Sequence, residues 1–172
     1  MITYYLTLSQ VFPSTHARAG EPTNFEAAFR AGQVFNRGSE CLYRQPKLHT
    51  IRANYDFWAK RFEKIAAGEA CLSIRQWVGK PYGKGSTQRE IARLTREDGI
   101  GLQRLDFPHG TLSTAWIDWG KRRLSCPLEG LANNDGLSLA DWREWFISYD
   151  LSKPMAIIQF TKFRYKYENN QI

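Results

Sequence analysis

The sequence predicts a mixed α+β fold in which a barrel or half-open barrel of short strands is flanked by helices. Three observations predict it. Ile2, Tyr4, Leu6 and Leu8 alternate with Thr3, Tyr5, Thr7 and Ser9, the period of a strand with one buried face. Three later stretches pair a helix-start signal with apolar residues at helical spacing. Between them, short apolar runs are punctuated by Gly and Pro, as in small barrels.

After the first strand, residues 11–22 read as loop. Thr23 with Glu26 forms a capping-box pattern, Phe25, Ala28 and Phe29 make one apolar face, and Gly32 is read as the end of a two-turn helix. Residues 33–46 have no clear period; they contain Arg37 and Arg44 and read as a mobile surface loop. Asn54 is placed to cap a helix running to about Ala67, with Trp58, Phe62 and Ile65 inward and Gly68 as its stop. Cys71 to Val78 reads as a strand with Leu72, Ile74 and Val78 on one face and Arg75 and Trp77 on the other. Gln88 to Arg96 fits either a strand or, through Ile91 and Leu94, a helix. Short strands are expected around Ile100 to Phe107 and Thr111 to Trp119, parted by the turn Pro108-His109-Gly110. Ser138 and Asp141 open a helix to about Ser148 whose stripe of Leu139, Trp142, Trp145 and Phe146 belongs to the core. Met155 onward is apolar on both faces, so it should be a central or covered strand, and residues after Tyr165 should fray.

The chain has 172 residues, 42% hydrophobic and 14% aromatic, enough for one full core, so a single domain spanning 1–172 is expected. No apolar run approaches the roughly 20 residues that cross a bilayer, and the N-terminus lacks the pattern of a secretory signal, which reads as cytoplasmic. Cys41, Cys71 and Cys126 are widely spaced and have no nearby histidines, so neither a disulfide framework nor a metal site is indicated, and no cofactor signature is found. The net charge of +7 favours an acidic partner, most often nucleic acid. Lys121 to Arg123 is too short to count as a binding signal.

Lys47, Thr50 and Arg52 stand at i, i+3 and i+5, just before the cap at Asn54. A loop that ends on a helix start leaves backbone N–H groups free for an anion and anchors its neighbours in the core. K-x-x-T-x-R after a strand and a helix resembles the signature of the ASCH domain, a PUA-like fold. Gly68-Glu69-Ala70 resembles that family's turn into a barrel strand. Gln45 stands where the family has glycine, so residues 33–46 read as an insertion, and the helix and strand beyond residue 107 read as a C-terminal extension. The resemblance makes Gln88 to Arg96 a strand and joins residues 2–9, 70–78, 88–96 and 155–163 in one barrel-like sheet.

The resemblance implies a domain that holds RNA, or a modified or flipped nucleobase, in a basic cleft lined by Lys47, Thr50 and Arg52. Arg75, Trp77, Lys80, Tyr82 and Lys84 add a second feature. Cations neutralise phosphates and interleaved aromatics stack on unpaired bases, although Trp77 would equally suit a core beside a solvated hairpin. The alternative is an enzyme. Some small ASCH proteins hydrolyse the acetyl amide of N4-acetylcytidine with a threonine nucleophile, here Thr50, a lysine base, here Lys47, and a glutamate, here Glu69, Glu90 or Glu97. His49 lies inside the motif but alternates away from Lys47 and Thr50.

Overall fold

The computed structural model describes residues 1–37 and 45–167. In chain order it forms β1 (Ile2–Thr7), α1 (Phe25–Asn36), β2 (His49–Ala53), α2 (Tyr55–Ala66), β3 (Ala70–Val78), β4 (Thr87–Leu94), β5 (Gly101–Asp106), β6 (Ala115–Trp119), β7 (Arg122–Cys126), α3 (Leu128–Asn134), α4 (Leu139–Phe146) and β8 (Met155–Gln159). The fold is mixed α+β, as expected. Its strands make two sheets, ordered β1-β3-β4 and β2-β8-β5-β6-β7, and these are not closed into a barrel. β1 runs parallel to β3; the other pairings are antiparallel.

The expected grouping of four strands in one sheet is corrected. The strands near 2–9, 70–78 and 88–96 make the smaller sheet, whereas β8 sits between β2 and β5 in the larger one. The reason lies in its composition. All five residues of β8 are buried, so it needs a strand on each side and cover on both faces, which an edge of the smaller sheet would not supply. α2 bridges the sheets by packing against β3 on one and β5 and β8 on the other. One apolar cluster, including Leu6, Ile51, Ile74, Leu105 and Ile157, fills the space between them.

Local signals succeed where one residue decides the geometry. Asn54, at φ 62°, accepts a hydrogen bond from the Phe57 N–H, and Trp58, Phe62 and Ile65 are buried behind it. Ser138 accepts from the Asp141 N–H and starts α4, which ends at Phe146, two residues before the expected Ser148. The Thr23–Glu26 capping box does not form. Thr23 donates to the Ser9 carbonyl and accepts from the Phe25 N–H, while Glu26 pairs with Arg30 and Arg89. α1 also runs past Gly32 to Asn36, so the first residues of the expected loop are helical. A Cβ on Gly32 would lie 2.6 Å from the Lys47 carbonyl oxygen, so this glycine admits a crossing backbone rather than stopping a helix. Residues 38–44, with Cys41 and Arg44, lie outside the described residues.

Further differences follow from exposure and length. Val78 is 51% exposed, and Gln76 is buried instead, because the hairpin outruns the core at that end. β4 is a strand and carries a bulge, with Ile74 opposite Ala92 and Arg75 opposite Glu90. β7 and α3 were not anticipated, and residues 49–53, read as loop, form strand β2 because they pair with β8. Of the residues after Tyr165, Tyr167 is tied back through its hydroxyl, which donates to the Arg123 carbonyl, and 168–172 lie outside the described residues. Among the described residues, no helix is long and apolar enough to cross a membrane, and no group of three or more His, Cys, Asp or Glu could hold a metal ion. Cys71 and Cys126 are free and buried, and burial pushes the Cys126 thiol up to about 11.

Candidate nucleic-acid interface

Residues 47–52 form a buried post rather than an open floor. The Lys47 N–H donates to Ala28 of α1, the Leu48 N–H donates to Asn134 of α3, and the Leu48 carbonyl accepts from Phe160. The Lys47 side chain, only 1% exposed, runs past Gly136 to place Nζ 2.5 Å from Asp135 Oδ1 and 4.0 Å from the Phe25 ring centre. Burial lowers the Lys47 pKa and raises that of Asp135, and their mutual attraction opposes both shifts. The indole N–H of fully buried Trp142 has no hydrogen-bond partner among the described residues, yet it also helps hold the Asp135 pKa down.

Arg52 spans the joint between the sheets. Its Nη2 donates to the Thr7 carbonyl of β1 at 2.7 Å and its Nη1 to the Ile51 carbonyl at 3.2 Å, so the fork is engaged by backbone. Burial lowers its pKa and the Asp135 carboxylate partly restores it. Thr50 is 3% exposed and stands opposite Ile158. His49 lies 2.9 Å from the Tyr165 hydroxyl through Nε2, and burial holds its pKa well below the ordinary histidine value. None of the three glutamates meets Lys47. Glu97 pairs with Arg96, Glu90 with Ser73 and Arg93, and Glu69 is exposed beside β1. Surface concavities lie elsewhere. One of about 640 Å³ runs between Trp119 and the segment from Lys162 to Lys166, another of about 500 Å³ lies around Tyr55 and Tyr149, and Lys47 and Thr50 line neither.

The second group of candidates is brought together on the outer face of the smaller sheet. Alternation puts Leu72 and Ile74 in the core and turns Arg75 and Trp77 outward. Register sets Tyr5 beside Ser73, Thr7 beside Arg75, Glu90 beside Arg75 on the other side, and Gln88 beside Trp77. The Arg75 guanidinium lies 4.3 Å from the Tyr5 ring centre, and its Nε donates to Ser73 Oγ at 3.0 Å. At the hairpin, the Trp77 and Tyr82 rings are 4.9 Å apart. Tyr82 is 88% exposed and has φ 57°, a left-handed conformation uncommon for an aromatic residue. The Lys80 carbonyl anchors the turn by accepting from the Gly83 N–H and Ser86 Oγ, while Lys80 and Lys84 themselves are exposed.

Tyr5, Ser73 and Glu90 complete this face and were not assigned to it from sequence. The strand alternation of residues 2–9 had already put Tyr5 on the polar side, and that was the available signal. Asp135 had none, because its partner Lys47 is 88 residues away. No family model, curated protein or solved structure matches this chain.

Proposed function

We propose that this chain is a PUA-like domain of the ASCH type that binds single-stranded RNA on the outer face of the β1-β3-β4 sheet. One observation carries the reading: Arg75 on Tyr5 and Trp77 on Tyr82 form two aromatic stations on one open face, with Lys80 and Lys84 beside them. An aromatic ring left 88% exposed contributes little to packing, but it stacks on an unpaired base for about 1–3 kcal/mol. The neighbouring cations supply sequence-independent attraction to phosphate. In this reading Lys47, Thr50 and Arg52 hold the frame on which that face is built.

The test is fluorescence anisotropy with a labelled eight-nucleotide single-stranded RNA. Binding is expected to be micromolar, and log affinity should fall against log salt with a slope of about −2 if three phosphates are neutralised. Trp77→Ala and Tyr82→Ala should each weaken it about tenfold. Absence of binding at 50 mM salt, or affinity unchanged in both variants, would sink the proposal.

A second reading has a specific observation behind it. Burial makes Lys47 a weaker acid-holder than an ordinary lysine, and a carboxylate touches it, as hydrolysis of an acylated cytidine by Thr50 with Lys47 as base would require. Such chemistry needs a path to a hydroxyl whose residue is 3% exposed.

A further inference from the structure

We infer that the cross-strand pair Arg75 and Glu90 selects a guanine base on this face, an inference that rests on the RNA-binding reading and gives it a sequence preference. The pair lies between the Tyr5 and Trp77 rings along the strand, with the Arg75 guanidinium over Tyr5. Tyr5 is level with Ser73, and Trp77 lies four residues further along β3, about 13 Å at the usual strand rise. Arg75 and Glu90 stand midway, on the same face. A base held over this face is therefore offered a guanidinium from β3 and a carboxylate from the register-paired position on β4.

Their hydrogen-bonding capacity is only partly used. Glu90 Oε2 accepts from Ser73 Oγ and from Arg93 Nη2, whereas Oε1 has a single long contact of 3.5 Å to Arg93 Nε. Arg75 spends Nε on Ser73, and its terminal nitrogens make no hydrogen bond among the described residues. The Ser73 and Arg93 contacts lower the Glu90 pKa, so the group stays an acceptor at neutral pH. A carboxylate weakens affinity for any polyanion. Its place at the centre of the face makes sense if it reads base N–H groups.

The bases of a single strand expose their Watson–Crick edges, and only one edge fits this pair. Guanine offers the O6 acceptor beside the N1–H and N2–H donors, which matches a guanidinium followed by a carboxylate. Adenine and cytosine each turn an acceptor ring nitrogen toward the carboxylate, and uracil offers one N–H between two carbonyls. The pair thus presents a donor and then acceptors, as the edge of cytosine does.

The experiment measures anisotropy of four labelled pentanucleotides, UUNUU with N as G, A, C or U, on the full chain. The G form should bind about tenfold or more tighter than each of the others. Glu90→Gln, checked for folding by circular dichroism, should remove that ratio, and Trp77→Ala should weaken all four together. Equal affinities for the four RNAs, or a G preference that survives Glu90→Gln, would overturn the inference while leaving RNA binding intact. Failure of all four to bind would overturn the underlying reading and this inference with it.

Discussion

Removing Asp135 tests the buried post most directly. Lys47 Nζ has the Asp135 carboxylate at 2.5 Å, the Asp135 carbonyl at 2.6 Å and the Phe25 ring at 4.0 Å, and both residues of the pair are almost fully enclosed. Asp135→Ala leaves the ammonium with the carbonyl and the ring alone. Breaking a buried pair by deleting one partner costs about 3–5 kcal/mol. The loss has a ceiling, because a lysine that gives up its proton at pH 7 costs about 4.6 kcal/mol relative to its free value. A deficit of about 3–4 kcal/mol is therefore expected, with a drop of about 10 °C in Tm. The sign with pH is fixed as well. In the variant the folded-state pKa of Lys47 lies below the unfolded one, so the unfolded chain binds more protons and stability rises with pH; by pH 9 the ceiling has fallen to about 2 kcal/mol. Urea unfolding followed by tryptophan fluorescence at pH 7 and pH 9 measures both. A deficit under about 1 kcal/mol at pH 7, or one that does not shrink at pH 9, would refute the argument.

Other outcomes follow from single contacts. Gly32→Ala should destabilise by about 1–3 kcal/mol in urea, although helix propensity alone would make it stabilising by about 1, because the added methyl meets the Lys47 carbonyl. His49 is buried with a lowered pKa, so its contribution is full above the unfolded value near 6.5 and is lost as pH falls below it. His49→Gln should flatten the wild-type stability curve between pH 5 and 6.5 by at most about 1.4 kcal/mol per pH unit. If the chain releases cytidine from N4-acetylcytidine, chromatography should show the product lost in Thr50→Ala and in Lys47→Arg, whose guanidinium cannot accept a proton, and kept in part by Thr50→Ser. Product from wild type that does not exceed the Thr50→Ala background would remove the hydrolase reading.

What sequence reading captured was local. Asn54, Ser138 and the Trp58, Phe62 and Ile65 stripe each decide a helix within one or two turns, and the doubly apolar Met155 to Gln159 announces a central strand. β7 escaped because only Leu124 and Cys126 of Arg-Arg-Leu-Ser-Cys are buried and its charges resemble a surface run. α3 escaped because a glycine and two asparagines dilute seven residues that owe their helix to Leu128, Leu131 and Ala132 packing inward. The pairing of sheets was not legible, since it depends on contacts about a hundred residues apart. The same limit hid Asp135. Arg75 and Trp77 were put on one strand face from alternation alone, but Tyr5 and Glu90 join that face through register, which no short window contains.

The position of β8 also sets the order in which the protein comes into being. Residues 49–53 and 101–106 are the strands it separates, so the larger sheet lacks its middle until residues 155–159 have been synthesised. At about 5–20 residues per second, the β2 segment leaves the ribosome roughly 5–20 s before its partner exists. Throughout that interval Ile51, destined for near-complete burial, belongs to a strand with an open hydrogen-bonding edge. A nascent chain stalled before Met155 is thus left with β5–β6–β7 as a separate meander and β2 as bait for other unpaired strands, a cost that the finished molecule conceals.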